Sequence, residues 1–121
     1  MIEVNRGSAI TLVIGAMVGE EDYVFQEGDV VRFSITEKKN ENNVILRKDV
    51  TAVAGETEVE IALTASDTKI GDIINKKAVY WFEVELNPET EQCQTIIGYD
   101  GNGAKEFILY PESGELEWQK R

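Results

Sequence analysis

The sequence predicts an all-β fold, a two-sheet antiparallel β-sandwich of seven to eight strands. Two observations predict it: apolar and polar residues alternate with period two through one short segment after another, and polar or glycine-containing turns close each segment. A third is the scarcity of helical patterning, since only residues 66–77 leave room for a helical turn. Amphipathic sheets without covering helices must bury their apolar faces against each other, which gives two packed layers. A single closed barrel satisfies the same alternation, because patterning does not say which edges pair.

The first candidate strands are residues 2–4 (IEV) and 9–17 (AITLVIGAM), followed by a VGEED turn. In VVRFSITE, Val31, Phe33 and Ile35 point one way and Arg32, Ser34 and Thr36 the other; KKNENN then reads as a charged loop. VILRKDVTAV places Val44, Leu46 and Val50 on one side, but Lys48 interrupts them, the mark of an edge strand or a bulge. ETEVEIALT is cleaner, with Val59, Ile61 and Leu63 inward and Glu58, Glu60 and Ala62 outward.

SDTKIGDIINKK, residues 66–77, is expected to connect the sheets through a turn capped by Ser66 or Asp67, with Ile70, Ile73 or Ile74 tucked against the core. AVYWFEVELN runs to Pro88, which must end ladder pairing. NPETEQ makes the return turn, CQTIIGY runs back, and DGNGA is expected to reverse the chain into a hairpin with KEFILY. Pro111 favours a strand end, and residues 112–121 read as an extra edge strand through Leu116 and Trp118 or as a frayed terminus.

A chain of 121 residues fits one domain, spanning residues 1–121, and can bury roughly two thirds of its extended surface in one core. The chain carries 23 acidic residues against 12 basic ones, spread over both halves. That field repels phosphate backbones and anionic lipid, so neither nucleic acid nor membrane is expected as a partner. No apolar run reaches the length of a spanning helix, and the start lacks the pattern of a signal peptide, so a protein made in the cytoplasm is expected. Histidine is absent, which removes histidine-based triads, histidine-ligated zinc and imidazole acid-base chemistry. One cysteine, Cys93, makes no internal disulfide and reads as a reduced, partly buried thiol.

The segment AVYWFEVEL raises the functional question. Alternation puts Tyr80, Phe82, Val84 and Leu86 on the core face, each large apolar side chain worth roughly 1.5–3 kcal/mol when buried. Val79, Trp81, Glu83 and Glu85 take the other face. Trp81 either lies beneath residues 66–77 or the terminal segment, or, exposed with Val79, anchors a protein interface. Trp118 is a third interface candidate. A carbohydrate module using Trp81, Tyr80 or Tyr99 is the alternative. Glu83 and Glu85 stand about 6.7 Å apart on a strand, a spacing seen in glycosidase carboxylate pairs. They project in parallel with no sign of a pocket, so a solvated face is the expectation, and no catalytic residue is assigned.

Asp100-Gly101-Asn102-Gly103 superficially opens like a calcium loop, but Ala104, Lys105 and Pro111 occupy positions where ligands or glycine belong, so a turn is expected. Asp67, Thr68 and Asp72 offer oxygen atoms, yet Asp67 more simply caps a turn. Neither Gly28 nor Gly71 lies in a phosphate-binding pattern. No cofactor, metal or small-molecule substrate is expected.

The phrases GDVVRFSI, EIALTASDTKI, AVYWFEVEL, QTIIGYDGNG and KEFILYPE occur in the order found in phage tail and baseplate β-sandwich domains. The chain resembles the N-terminal domain of baseplate upper proteins, which attaches a receptor-binding apparatus to the tail. The resemblance implies an immunoglobulin-like sandwich, a non-enzymatic structural or adaptor role in a virion or prophage-encoded assembly, and other phage structural proteins or further copies of the chain as partners. It brings no catalytic residue.

Overall fold

A computed structural model describes residues 2–18, 20–37, 44–70, 76–91, 93–97 and 105–111. The fold is all-β, with ten strands among the described residues: β1 (Ile2–Asn5), β2 (Ile10–Gly15), β3 (Met17–Val18), β4 (Glu21–Asp22), β5 (Val30–Thr36), β6 (Val44–Thr51), β7 (Glu58–Leu63), β8 (Ala78–Leu86), β9 (Gln94–Ile97) and β10 (Lys105–Tyr110). One sheet has six strands in the order β1-β10-β8-β5-β6, with β9 also on β8. The second sheet is β2-β7 alone, and β3 and β4 form a separate two-residue ladder at the expected VGEED turn.

Alternation decides the core. Val31, Phe33 and Ile35 of β5 are fully buried, Phe82, Val84 and Leu86 of β8 nearly so, and Val59, Ile61 and Leu63 of β7 face them. With Ile14, Phe107 and Leu109 they form a single cluster drawn from both sheets. Phe33 meets Phe82 at 5.7 Å and Phe107 at 6.4 Å between ring centroids, separations at which tilted and edge-on aromatic pairs attract.

Three elements depart from the expectation. β1 pairs β10 in parallel, so the large sheet is mixed rather than purely antiparallel. The hairpin expected between CQTIIGY and KEFILY does not form: β9 pairs β8 over 84–86, β10 pairs β8 over 78–82, and both run antiparallel to it. β5 occupies the opposite edge of β8 over 81–86, so β9 and β10 follow each other along one edge in the same sense. Glycine-rich composition signals a permissive backbone but not the direction the chain takes afterwards. The span 66–77 holds, in its described part, only a hydrogen-bonded turn, and its cap is neither Ser66 nor Asp67: the Thr64 hydroxyl accepts from the Asp67 amide at 3.2 Å, and the Asp67 carboxylate reaches back to accept from the Thr64 amide at 2.8 Å, the reciprocal pair of a capping box. Ile70 packs against the core; Ile73, Ile74 and Asp72 lie outside the described residues.

Lys48 does mark an edge. β6 ends the six-stranded sheet, and its register with β5 shifts between Ile35 and Thr36. The Lys48 ammonium reaches Asp67 at 2.8 Å, which ties β6 to the turn after β7. From the same turn, the fully buried Thr68 donates its hydroxyl to the Ser8 carbonyl at 2.8 Å.

A buried carboxylate locks the entry to β5. Asp29, only 7% exposed, accepts hydrogen bonds from the Tyr23 hydroxyl (2.7 Å), the Gln26 amide (2.8 Å) and the Asn87 side-chain amide (2.9 Å). Asn87 adopts φ 49°, a left-handed conformation that asparagine tolerates, and its side-chain carbonyl oxygen accepts from the Val30 amide at 2.9 Å. Burial pushes the Asp29 pKa up, but the bonds from Asn87, Gln26 and Tyr23 outweigh it and hold the carboxyl below its ordinary value. β8 ends at Leu86 just before Pro88.

Candidate interaction surface

The outer face of the six-stranded sheet is built by the residues whose neighbours fill the core. On β8 these are Val79, Trp81, Glu83 and Glu85. Val79 is 41% exposed and lies beside Ile108 of β10, while Trp81 sits between Thr36 of β5 and Glu106 of β10. Ile108 is buried yet stands outside the core cluster, so the apolar character of this face extends from β8 onto β10. Trp81 is half-buried: less exposed than an open anchor, more than a core residue. Trp118 and the calcium-like loop 100–103 lie outside the described residues, as do Tyr99 and the tail from residue 112.

Beyond Trp81 the face turns polar. Glu83 lies opposite Ser34, which is buried, and Glu85 opposite Arg32. Contrary to the expectation of a solvated pair, both glutamates are half-buried. Burial raises the Glu83 pKa, and the neighbouring Glu85 charge raises it further.

Arg32 holds the far end of this row. Its guanidinium forks onto Asp49 of β6 at 2.8 and 3.0 Å and reaches Glu89 at 3.5 Å. Hydrogen bonding to Asp49 keeps the arginine charged and in turn lowers the Asp49 pKa. Cys93 is exposed rather than partly buried, and its thiol contacts the Glu85 carboxylate at 3.4 Å. Partial desolvation and that hydrogen bond raise the thiol pKa, the reverse of what activates a nucleophilic cysteine.

Tyr80 and Trp81 lie on opposite faces of β8, so they form no common platform for a sugar ring. Tyr80 instead lines a cleft of about 430 Å³ with Leu46, Ile70 and Asp67. Among the described residues, no three acidic or thiol side chains come together as a metal-binding group.

Several organising residues carry no sequence signal. Asp29 and Asn87 are 58 residues apart and the Arg32–Asp49 pair spans 17, so only the fold joins them. Phe25, almost fully buried and edge-on to Tyr23 at 5.5 Å, lies in no strand and follows no alternation. The single clue was its aromatic identity in a polar stretch.

These features define an all-β protein with an acidic body and one mixed aromatic-aliphatic patch on its larger sheet. No protein-family model matches the chain, and neither a curated protein nor a solved structure matches it.

Proposed function

We propose that this chain is a non-enzymatic structural or adaptor subunit of a phage or prophage tail-like assembly, acting through protein contacts from an immunoglobulin-like sandwich. The sandwich reading is supported by strand order: β10-β8-β5-β6 opposite β2-β7 follows the G-F-C-C′ and B-E succession of that plan. The tail reading is supported by the ordered phrases, which fall on β5, β7, β8, β9 and β10.

The observation that carries the functional reading is the exposed Val79 beside half-buried Trp81 on one face of the larger sheet, within a body of net charge -11. An apolar spot supplies affinity, and surrounding acid rejects partners that lack a complementary basic surface. Neither requirement involves a reacting group.

Particles purified from a bacterium that carries this reading frame test the proposal. Mass spectrometry is expected to find the chain at fixed stoichiometry, and a folded Trp81→Ala variant is expected to be depleted from particles. Absence of the wild-type chain from all particles overturns the reading. Saturable binding to an oligosaccharide array, lost in the same variant, would favour a carbohydrate-binding module instead.

A further inference from the structure

The second layer is too narrow for the first. Two strands, β2 and β7, face a sheet of six, and the imbalance shows in burial. The inward residues of β5 are fully buried, whereas Val44, Leu46, Lys48 and Val50 on the same side of β6 are all half-buried. In the immunoglobulin plan a further strand, D, pairs the strand that corresponds to β7. Here the chain passes from β6 to β7 through residues 52–57, and that connection is already engaged. The Ala52 amide donates to the Asp29 carbonyl, the Gly55 amide to Phe25, and the Phe25 amide to Glu56. Among the described residues nothing pairs the edge of β7 that faces away from β2.

A cleft of about 320 Å³ opens there, between β6 and β7. Its apolar floor is Val50 and Val59, and Val53 at its rim is 66% exposed. Glu56, Glu58 and Glu60 stand along the same rim, exposed and with no cation partner among the described residues. The Lys48–Asp67 ion pair closes the end toward the turn after β7.

We propose that the free edge of β7 is a docking groove for an extended segment of a partner protein in which lysine or arginine alternates with aliphatic residues. A strand added to this edge takes up the unpaired backbone groups of β7. Its side chains then alternate between the two environments present. One set covers Val50 and Val59; the other falls within about 5 Å of Glu58 and Glu60, the distance of a cross-strand pair. Only a basic set meets that rim without repulsion, and the net charge of -11 steers such a segment toward it. The inference rests on the adaptor and sandwich reading above and names a partner chemistry for it.

The probe is the blocked peptide Lys-Val-Lys-Val-Lys-Val, titrated into the nitrogen-15-labelled full chain. The expected result is saturable amide shifts confined to residues 50–53 and 56–62, with a Kd below about 1 mM. A peptide of the same composition in blocks, Lys-Lys-Lys-Val-Val-Val, is expected to bind at least about tenfold more weakly, because it cannot place both sets at once. The variant Glu58→Lys/Glu60→Lys is expected to lose binding, while Glu3→Lys/Glu106→Lys, equal in charge change but on the other sheet, keeps it. Val53→Lys provides a second lesion at an exposed site where folding is not at stake. No saturation by several millimolar, equal response to both peptides, shifts spread over the acidic surface, or equal loss in both charge variants each overturn the proposal. So does a concentration-dependent dimer of the free chain that protects the same amides, which would assign the groove to a second copy. Particle incorporation is measured independently of this titration, so failure of the groove and failure of the adaptor reading are separable.

Discussion

Replacing Asp29 by alanine removes one carboxylate that three donors share. The Tyr23 hydroxyl, the Gln26 amide and the Asn87 side-chain amide lose their acceptor together, at sites where the residue itself is 7% exposed. A hydrogen bond to a charged group is worth about 1.5–3 kcal/mol, but Tyr23 and Gln26 regain water, so the expected cost is roughly 3 kcal/mol rather than the full sum. For a domain of this length that lowers Tm by about 12 °C. Asp29→Asn keeps one acceptor oxygen and turns an N–H₂ toward a donor, so about half the loss is expected. The pH dependence has a definite sign. Because the folded carboxyl sits below its ordinary pKa of 3.8, the unfolded chain takes up the proton first, and acid favours unfolding. The contribution is therefore fully present at neutral pH and fades as pH falls through 4 and below. Asp49 and Asp67, also lowered, are common to both chains and cancel in the difference. Urea titrations of wild type and variant from pH 7 to pH 2.5, followed by near-ultraviolet circular dichroism, measure it. A difference below about 1 kcal/mol at pH 7, or one that stays constant across the range, refutes the assignment of Asp29 as the shared acceptor.

Arg32→Ala is expected to lower stability by about 1–2 kcal/mol in the same assay, and Arg32→Lys to recover less than half of it, because an ammonium cannot fork onto both Asp49 oxygens. Glu83→Gln is expected to raise Tm at neutral pH: its folded pKa is raised, so the charged form is the disfavoured one, and the gain should vanish in acid where the wild-type carboxyl is protonated. Thr68→Val, nearly isosteric, should cost about 1 kcal/mol through the lost bond to the Ser8 carbonyl, with faster amide exchange of the turn after β7 as its local signature. Cys93 should alkylate slowly at pH 8 despite its exposure, and Glu85→Gln should speed the reaction by removing the carboxylate that raises the thiol pKa.

Strand existence was legible because burial follows alternation almost residue by residue. ETEVEIALT and AVYWFEVEL each place their core faces where period two puts them, since a sheet with one wet face has no other way to bury its apolar residues. Pairing was not legible. Whether KEFILY folds back on CQTIIGY or continues along β8 is decided by which edge remains open after β5 has taken its side, a property of the assembled sheet. The parallel β1–β10 contact is hidden for the same reason, its strands lying at opposite ends of the chain. At the candidate surface the composition of the face was legible, Val79, Trp81, Glu83 and Glu85, but the degree of cover was not. Ser34 and Glu83 are less exposed than alternation implies; they lie opposite each other on β5 and β8, two strands paired on both edges in the interior of a six-stranded sheet.

The unequal layers make a further demand on stability. A two-stranded ribbon is marginal in water, so β2-β7 persists only because Ile14, Val59, Ile61 and Leu63 are buried against the larger sheet. β5 and β8, by contrast, are paired on both edges and contribute Phe33, Phe82 and Val84 to the middle of the core. Local opening should then follow the layers: amides of β5 and β8 exchange only with global unfolding, while those of β2 and β7 open at a free energy lower by about 1–2 kcal/mol, exchanging roughly 5- to 30-fold faster. Hydrogen exchange read strand by strand decides it. Equal protection across both sheets would mean that the narrow layer is held by something other than its packing. If the ordering holds, the edge of β7 combines backbone groups and acids that have no partner among the described residues with low local stability, so an added strand has its largest effect on protection where the fold has least of its own.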